Sequence, residues 1–337
     1  MPATAQAPVV AIATPVYNGG RYLAETMECV QAQTWPHIIH YILDNASSDN
    51  TPQIIASYAN RRIPVVVNRN PQTLPMLENW NAVLRLVPPE AAYFRILPAD
   101  DLIAPDAIEK MVTVGERYPE VSIIGCQEWA NNTIHGDGLP SSRAVFDGRA
   151  IVRGCLLNVI HGFPHLHCLY RIPLNGLPDP FYDTEYYGTP LLSIDVDAGM
   201  RALSQGKYGY VHEPLVTTRK HAESVTSTQV APNFLKLWSE LQLIDRWGPK
   251  VFDTHRAYLR CRARHLHFYY RHLMLWRARN DQRLLLQHRE WLRLASAEPT
   301  FNDYARALLE WPFVRAARQL RKAAVRLRLR PFYYQIR

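Results

Sequence analysis

Short apolar runs alternate with helix-period segments about four times between Val9 and Cys126, and nearly every run ends in polar or turn-forming residues. Val9–Ala13, His37–Leu43, Ile63–Asn68, Ala91–Leu97 and Val121–Cys126 read as strands. Arg21–Gln33, Thr51–Tyr58, Leu77–Leu86 and Pro105–Tyr118 read as helices. Strands that are apolar on both faces, each joined to the next through a helix, specify a mainly parallel sheet with helices on both faces. The expected fold is therefore α/β, Rossmann-like. In such sheets ligands bind outside the carboxyl ends of the strands. Those ends carry Thr14-Pro15-Val16-Tyr17-Asn18, Asp44-Asn45 and Asp100-Asp101, so three polar clusters are expected on one rim.

The chemistry of the clusters is readable. Asp100 and Asp101 are adjacent hard oxygen donors suited to Mg²⁺ or Mn²⁺, and an ion there could hold a diphosphate. The plainer reading of the pair is a helix cap before Pro105. Tyr17 offers a flat face to a nucleobase, and Asp44 an acceptor for its N–H. The plainer reading of both is turn chemistry. Thr51-Pro52 reads as an N-cap with proline at the first helical position.

Net charge sorts the 337 residues into two parts. Residues 1–230 hold 16 Lys and Arg against 22 Asp and Glu, and residues 231–337 hold 22 against 8. The expected boundary follows that shift: a catalytic domain at 1–230, then a basic helical region at 231–337. The helices read there are Asn233–Trp247, Val251–Arg279, Asp281–Ala295 and Phe301 to about Arg330. No run of about 18 apolar residues predicts a membrane-spanning helix. Met1–Pro8 lacks the charged and apolar regions of a secretory signal. Five scattered cysteines without a CxxC pair read as reduced thiols of a cytoplasmic protein.

Taken together, Thr14-Pro-Val-Tyr-Asn, Leu43-Asp-Asn-Ala-Ser-Ser-Asp-Asn-Thr, Asn79-Trp-Asn-Ala-Val and Ala99-Asp-Asp-Leu-Ile-Ala-Pro resemble the family 2 glycosyltransferases of the GT-A fold in order and spacing. The resemblance covers roughly residues 8–228. It implies a nucleotide-sugar donor (UDP-, GDP- or dTDP-linked) held by Thr14, Pro15, Tyr17, Asn18, Asp44, Asn81, Asp100 and Arg219. It also implies a divalent cation, Mn²⁺ or Mg²⁺, at Asp100, Asp101 and His221. Pro98 stands where the commoner family pattern has a further Asp, so which carboxylate meets metal and which meets ribose stays open. Asp195, near the start of a helix, matches the family's catalytic base. Asp197 is the runner-up, Arg201 matches an orienting position, and Ile194 stands where the family has Glu. A carboxylate there would take the proton of an acceptor hydroxyl in an inverting transfer.

The resemblance further implies a saccharide or lipid-linked acceptor, of the kind used in bacterial polysaccharide or lipopolysaccharide synthesis. The aromatic, proline-rich stretch Leu177–Gly188 suits sugar binding, and Leu166–Ile172 reads as a strand. His161, His165, His167 and Cys168 fit no standard zinc spacing.

At the C-terminus, Phe313, Ala316, Ala317, Leu320, Ala324 and Leu327 form an apolar stripe flanked by Arg315, Arg318, Arg321, Lys322, Arg326 and Arg328. It suits the anionic inner face of a membrane, a bundle or a homo-oligomer contact. No nucleic-acid motif accompanies the charge. A dehydrogenase would require GxGxxG after the first strand, which Gly19-Gly20 does not supply. A nucleotidyltransferase would require a basic loop there, and Thr14–Gly20 holds no Lys or Arg. The non-enzyme alternative is a saccharide- or membrane-binding scaffold on a degenerate transferase fold.

Overall fold

The structure is a computed structural model that describes residues 7–310 apart from 131, 137, 161–167, 184, 192 and 220–233. His221, the three histidines weighed for zinc and the basic stripe beyond residue 310 lie outside the described residues. The chain forms two compact units, residues 1–258 and 259–337. The boundary expected at 230 falls within the undescribed segment 220–233.

The first unit begins β1 (Val10–Val16), α1 (Leu23–Gln31), β2 (Ile38–Asp44), α2 (Thr51–Ala56), β3 (Val65–Arg69), α3 (Met76–Leu84), β4 (Tyr93–Ile96) and β5 (Leu102–Ile103). It continues with α4 (Ala107–Arg117), β6 (Val121–Ala130), β7 (Thr133–His135), β8 (Val145–Asp147), α5 (Gly148–Leu156) and β9 (Leu169–Arg171). Then come β10 (Glu185–Tyr186), β11 (Thr189–Pro190), α6 (Ile194–Leu203), β12 (Lys207–Thr217) and α7 (Leu235–Val251).

The main sheet runs in the order β3-β2-β1-β4-β9-β6-β12-β5. β1, β2, β3 and β4 are mutually parallel, as are β6 and β12; β9 runs antiparallel between β4 and β6. The carboxyl ends of β1, β2, β4, β6 and β12 therefore share one rim. α6 packs on β6 with its last turn at the start of that strand, where Ser122 Oγ donates to Ala202 O at 3.0 Å, so its first turn faces the rim end. The core on one sheet face joins Val10, Ile12 and Leu97 to Ile108, Met111 and Val112 of α4 and Val30 of α1. On the other face Phe94 stacks on Tyr170 at 5.1 Å, with the edge of Phe181 against both rings.

Two local expectations change. β1 extends through Thr14-Pro15-Val16, which the sequence places in a loop. Ala13 O accepts from Leu97 N, and Val16 O from Asn45 N. By strand alternation the missing N–H of Pro15 points to the β4 side, where β4 has already ended, so no ladder bond is lost. Thr51 is the first helical residue of α2 rather than its cap. Asp49 Oδ1 accepts from Thr51 N at 3.0 Å and from its hydroxyl at 2.5 Å.

Of the second unit, α8 (His255–Ala278) begins within the first unit and continues into this one, followed by α9 (Gln282–Leu294) and helical residues 301–310. Tyr269 OH meets Nδ1 of the fully buried His288 at 2.5 Å. Glu310 is bound by His267, Arg271 and Arg306, which hold its carboxyl down at about 2. Among the described residues, no helix is long and apolar enough to cross a membrane.

Candidate active site

The first two strand ends are laced together. Asn18 N donates to Ser47 Oγ, Gly19 N to Thr51 Oγ1 and Gly20 N to Asp49 Oδ2, all at 2.8–2.9 Å. Asn18 Oδ1 accepts from Ser48 N at 2.9 Å. A Cβ on Gly20 would stand 1.9 Å from Asn50 Oδ1 and 2.7 Å from Asp49 Oδ2, so a larger residue would displace these side chains. Asn18 and Ala46 both adopt left-handed backbone, at φ 48° and 57°. For the alanine this stores roughly 1 kcal/mol. The lacing leaves Tyr17 standing out of the rim, 54% exposed.

Asp44 is buried at the end of β2 and pairs in register with Arg69 at the end of β3. One oxygen accepts from Arg69 Nη1 and the other from Ser47 N at 2.9 Å, while Arg69 Nη2 holds Ser47 O. Sequence reading missed Arg69 because it ended this strand one residue early, at Asn68. An in-register basic residue beside Asp44 was the available signal.

Thr14 and Asn81 do not present their side chains to this rim. Thr14 is completely buried, its hydroxyl 2.9 Å from His40 Nε2. Burial pulls His40 down to about 3, so its ring is neutral. Asn81, expected among the nucleotide contacts, uses both ends of its carboxamide on one residue. Its Nδ2 donates to Tyr182 O at 3.0 Å and its Oδ1 accepts from Tyr182 N at 2.8 Å. Pro15 is buried within β1.

The carboxylate turn follows β4. Asp101 N donates to Pro98 O, and Thr26 of α1 donates to both Ala99 O and Asp101 O at 3.0 Å. β5 then pairs antiparallel with β12, Leu102 opposite Thr217. This register sets Arg219 beside the turn, and its N–H reaches Asp101 Oδ1 at 3.0 Å. The Arg219 side chain pairs with Glu25 and lies over the Tyr22 ring. Asp101 is buried, and burial, then the neighbouring charge of Asp100, pushes its carboxyl up to about 7.

The donor set fits a hard divalent cation: two adjacent carboxylates, one of them buried where a cation would relieve the cost of its charge. Among the described residues no group of three His, Cys, Asp or Glu is placed to hold an ion. The remaining oxygens of such a centre would come from a diphosphate and water.

Asp195 and Asp197 fall in the first turn of α6 but point to different neighbours. Asp195 is half-buried on the side of Tyr170 and Tyr182, which both feel its charge. Burial pushes it up to about 6, against the N–H groups of the helix start. Asp197 is buried against α7, where Oδ1 accepts from Trp247 Nε1 at 2.7 Å and meets Arg246 Nε at 3.2 Å. Arg246 also binds Asp183, and Arg201 binds Phe181 O. Arg201, Arg246 and Asn81 thus hold three consecutive residues around Tyr182. Arg246 and Trp247 lie in a helix the sequence assigned to the C-terminal region, so nothing linked them to α6 beforehand.

The mainly parallel sheet flanked by helices has the GT-A fold. The structure superposes on Staphylococcus aureus TarS in complex with UDP-GlcNAc with a TM-score of 0.62, covering 90% of this chain and 91% of that one at 13% identity. It also superposes on the mannosyltransferase PcManGT of Pyrobaculum calidifontis, in complex with GDP-Man and Mn²⁺, with a TM-score of 0.54 at 16% identity, covering 93% and 81%. Residues 11–172, just under half of the chain, match glycosyl transferase family 2. The putative glycosyltransferase EpsH of Bacillus subtilis is 26% identical over 242 residues, 65% of this chain and 63% of that protein. Other curated relatives are matched over only 18% to 42% of their own length.

Proposed function

We propose that the chain is an inverting transferase that moves a sugar from a nucleoside diphosphate to a hydroxyl of a saccharide or lipid-linked acceptor. The setting proposed is assembly of a bacterial cell-surface polysaccharide or lipopolysaccharide. The observation that carries the reading is Asp195, a half-buried carboxylate at a helix start on the same rim as the Asp100-Asp101 turn. Tyr17 and the Asp44–Arg69 pair would receive the nucleobase and ribose. Asp100, Asp101 and His221 would hold the cation, which when bound neutralises charge on the departing diphosphate.

Asp195 accepts the acceptor hydroxyl's proton as that oxygen attacks the anomeric carbon. The bond from that carbon to the diphosphate breaks on the opposite face, and the nucleoside diphosphate leaves with the electron pair. Arg201 serves this step by fixing the Phe181 carbonyl beside Tyr182. The basic C-terminal segment would keep the enzyme at an anionic membrane face or in a homo-oligomer.

The test is release of UDP, GDP or dTDP from a panel of nucleotide-sugars with Mn²⁺ or Mg²⁺, and the anomeric configuration of any product. Hydrolysis or transfer with one donor, and inversion at the anomeric carbon, is expected. No turnover with any donor, together with full biological function of Asp195→Asn, would instead establish the non-catalytic scaffold, the reading that Pro98 and Ile194 favour.

A further inference from the structure

Beneath the carboxylate turn lies a charge that the mechanism above does not use. Arg95 stands on β4 and is wholly buried. Its neighbours along the strand on that face, Tyr93 and Leu97, belong to the apolar core shared with α4. Nη1 reaches only the sulfur of Met111, at 3.9 Å. Among the described residues Nε and Nη2 have no hydrogen-bond partner, and no carboxylate forms an ion pair with the guanidinium. A buried cation without a bonded counter-ion is among the costliest groups a core can hold, and a methionine would fill the same space without that cost. What arginine supplies here is charge, and it keeps that charge in protein interiors.

The surroundings say where the field acts. The turn 98–103 is packed onto this core through α1: Thr26 holds Ala99 and Asp101, and Ile103 N meets Cys29 Sγ at 3.4 Å. Cys29 feels Arg95, Arg219 and Asp101 together, and Asp101 is the carboxylate among the electrostatic neighbours of Arg95. Water cannot screen a charge enclosed in this way, so its field emerges at the rim.

We propose that Arg95 is a specificity-determining residue of the donor site, a fixed buried cation whose field makes the rim prefer nucleoside diphosphates to nucleosides despite the two aspartates of the turn. The proposal rests on the reading of this rim as a nucleotide site. Arg95 touches no ligand; its effect must grow with ligand charge and not with ligand shape, which separates it from a merely structural arginine.

The experiment is equilibrium binding by ligand-observed NMR without metal, in EDTA, using uridine, UMP and UDP and the matching guanosine series. Arg95→Met should weaken the diphosphate about tenfold and the monophosphate a few-fold, and leave the nucleoside unchanged. Arg95→Lys, which keeps the charge, should bind all three within about twofold of wild type. Thermal unfolding should show Arg95→Met at least as stable as wild type. Should that variant not fold, Arg95→Gln compared with Arg95→Lys carries the same contrast. Equal losses for all three ligands, or no loss for any, would overturn the proposal. A wild-type protein that binds no member of either series would instead remove the nucleotide reading of the rim, and the proposal with it.

Discussion

Asp101 Oδ1 accepts the backbone N–H of Arg219 at 3.0 Å, across a sequence separation of 118 residues. The bond joins the turn after β4 to the second residue beyond β12. It separates two jobs of one carboxylate, an acceptor that fixes the chain and an anion that can meet a cation.

Asp101→Asn retains the acceptor and removes the charge. Since burial already opposes ionisation, stability should change by no more than about 1 kcal/mol. The extra stabilisation that Mn²⁺ confers on a UDP or GDP complex should vanish. A thermal-shift panel of each nucleotide with and without Mn²⁺ measures both; an unchanged Mn²⁺ effect would remove Asp101 from the metal site.

For Asp195 the pH dependence has a definite sign. Its carboxyl is pushed up to about 6 by burial, and a base must be ionised to accept a proton. kcat/KM should fall as pH drops through about 6 and be level above it. Asp195→Asn should lower transfer by roughly 10²- to 10⁴-fold while donor binding is kept. A profile flat from pH 5 to 8 would argue against this base.

Asp197→Asn should behave differently. The buried carboxylate serves Trp247 and Arg246, so the amide leaves Arg246 with Asp183 as its counter-charge and should cost about 1–3 kcal/mol. Denaturant unfolding reads that cost. The acid limb of the rate profile should not move; if it does, Asp197 is the base.

Asn81→Leu should cost about 2–4 kcal/mol, because the backbone N–H and C=O of Tyr182 both lose their partner in a buried setting. Nucleotide affinity should fall far less than transfer rate. Unchanged stability with lost nucleotide binding would restore Asn81 to the nucleotide contacts and contradict its placement against Tyr182.

Tyr17→Ala should leave stability within about 0.5 kcal/mol, since the ring is more than half exposed. It should weaken UDP or GDP by roughly tenfold if the ring is the base's platform. Titration calorimetry with the metal present decides it.

Much of the fold was legible because its signals are local. Apolar runs such as Val9–Ala13 and Ala91–Leu97 are strands from their own composition, and parallel strands joined by helices place their carboxyl ends together. That alone brought Tyr17, Asp44 and Asp101 to one rim. What misled was exposure: Thr14 and Asn81 lie in the right segments, yet side-chain direction and partner are settled by what packs against them.

The sequence by itself determined the α/β architecture, the rim and the carboxylate-bearing segments, because periodicity and turn chemistry are properties of neighbouring residues. Only the tertiary structure decided which groups remain open to a ligand. It turned Asp195 toward Tyr182 and Asp197 toward Trp247, paired Asp44 with Arg69, and enclosed Arg95 with no ion-paired carboxylate among the described residues. The physical reason is that burial, pairing and field are set by residues tens to more than a hundred positions away, which no local pattern contains.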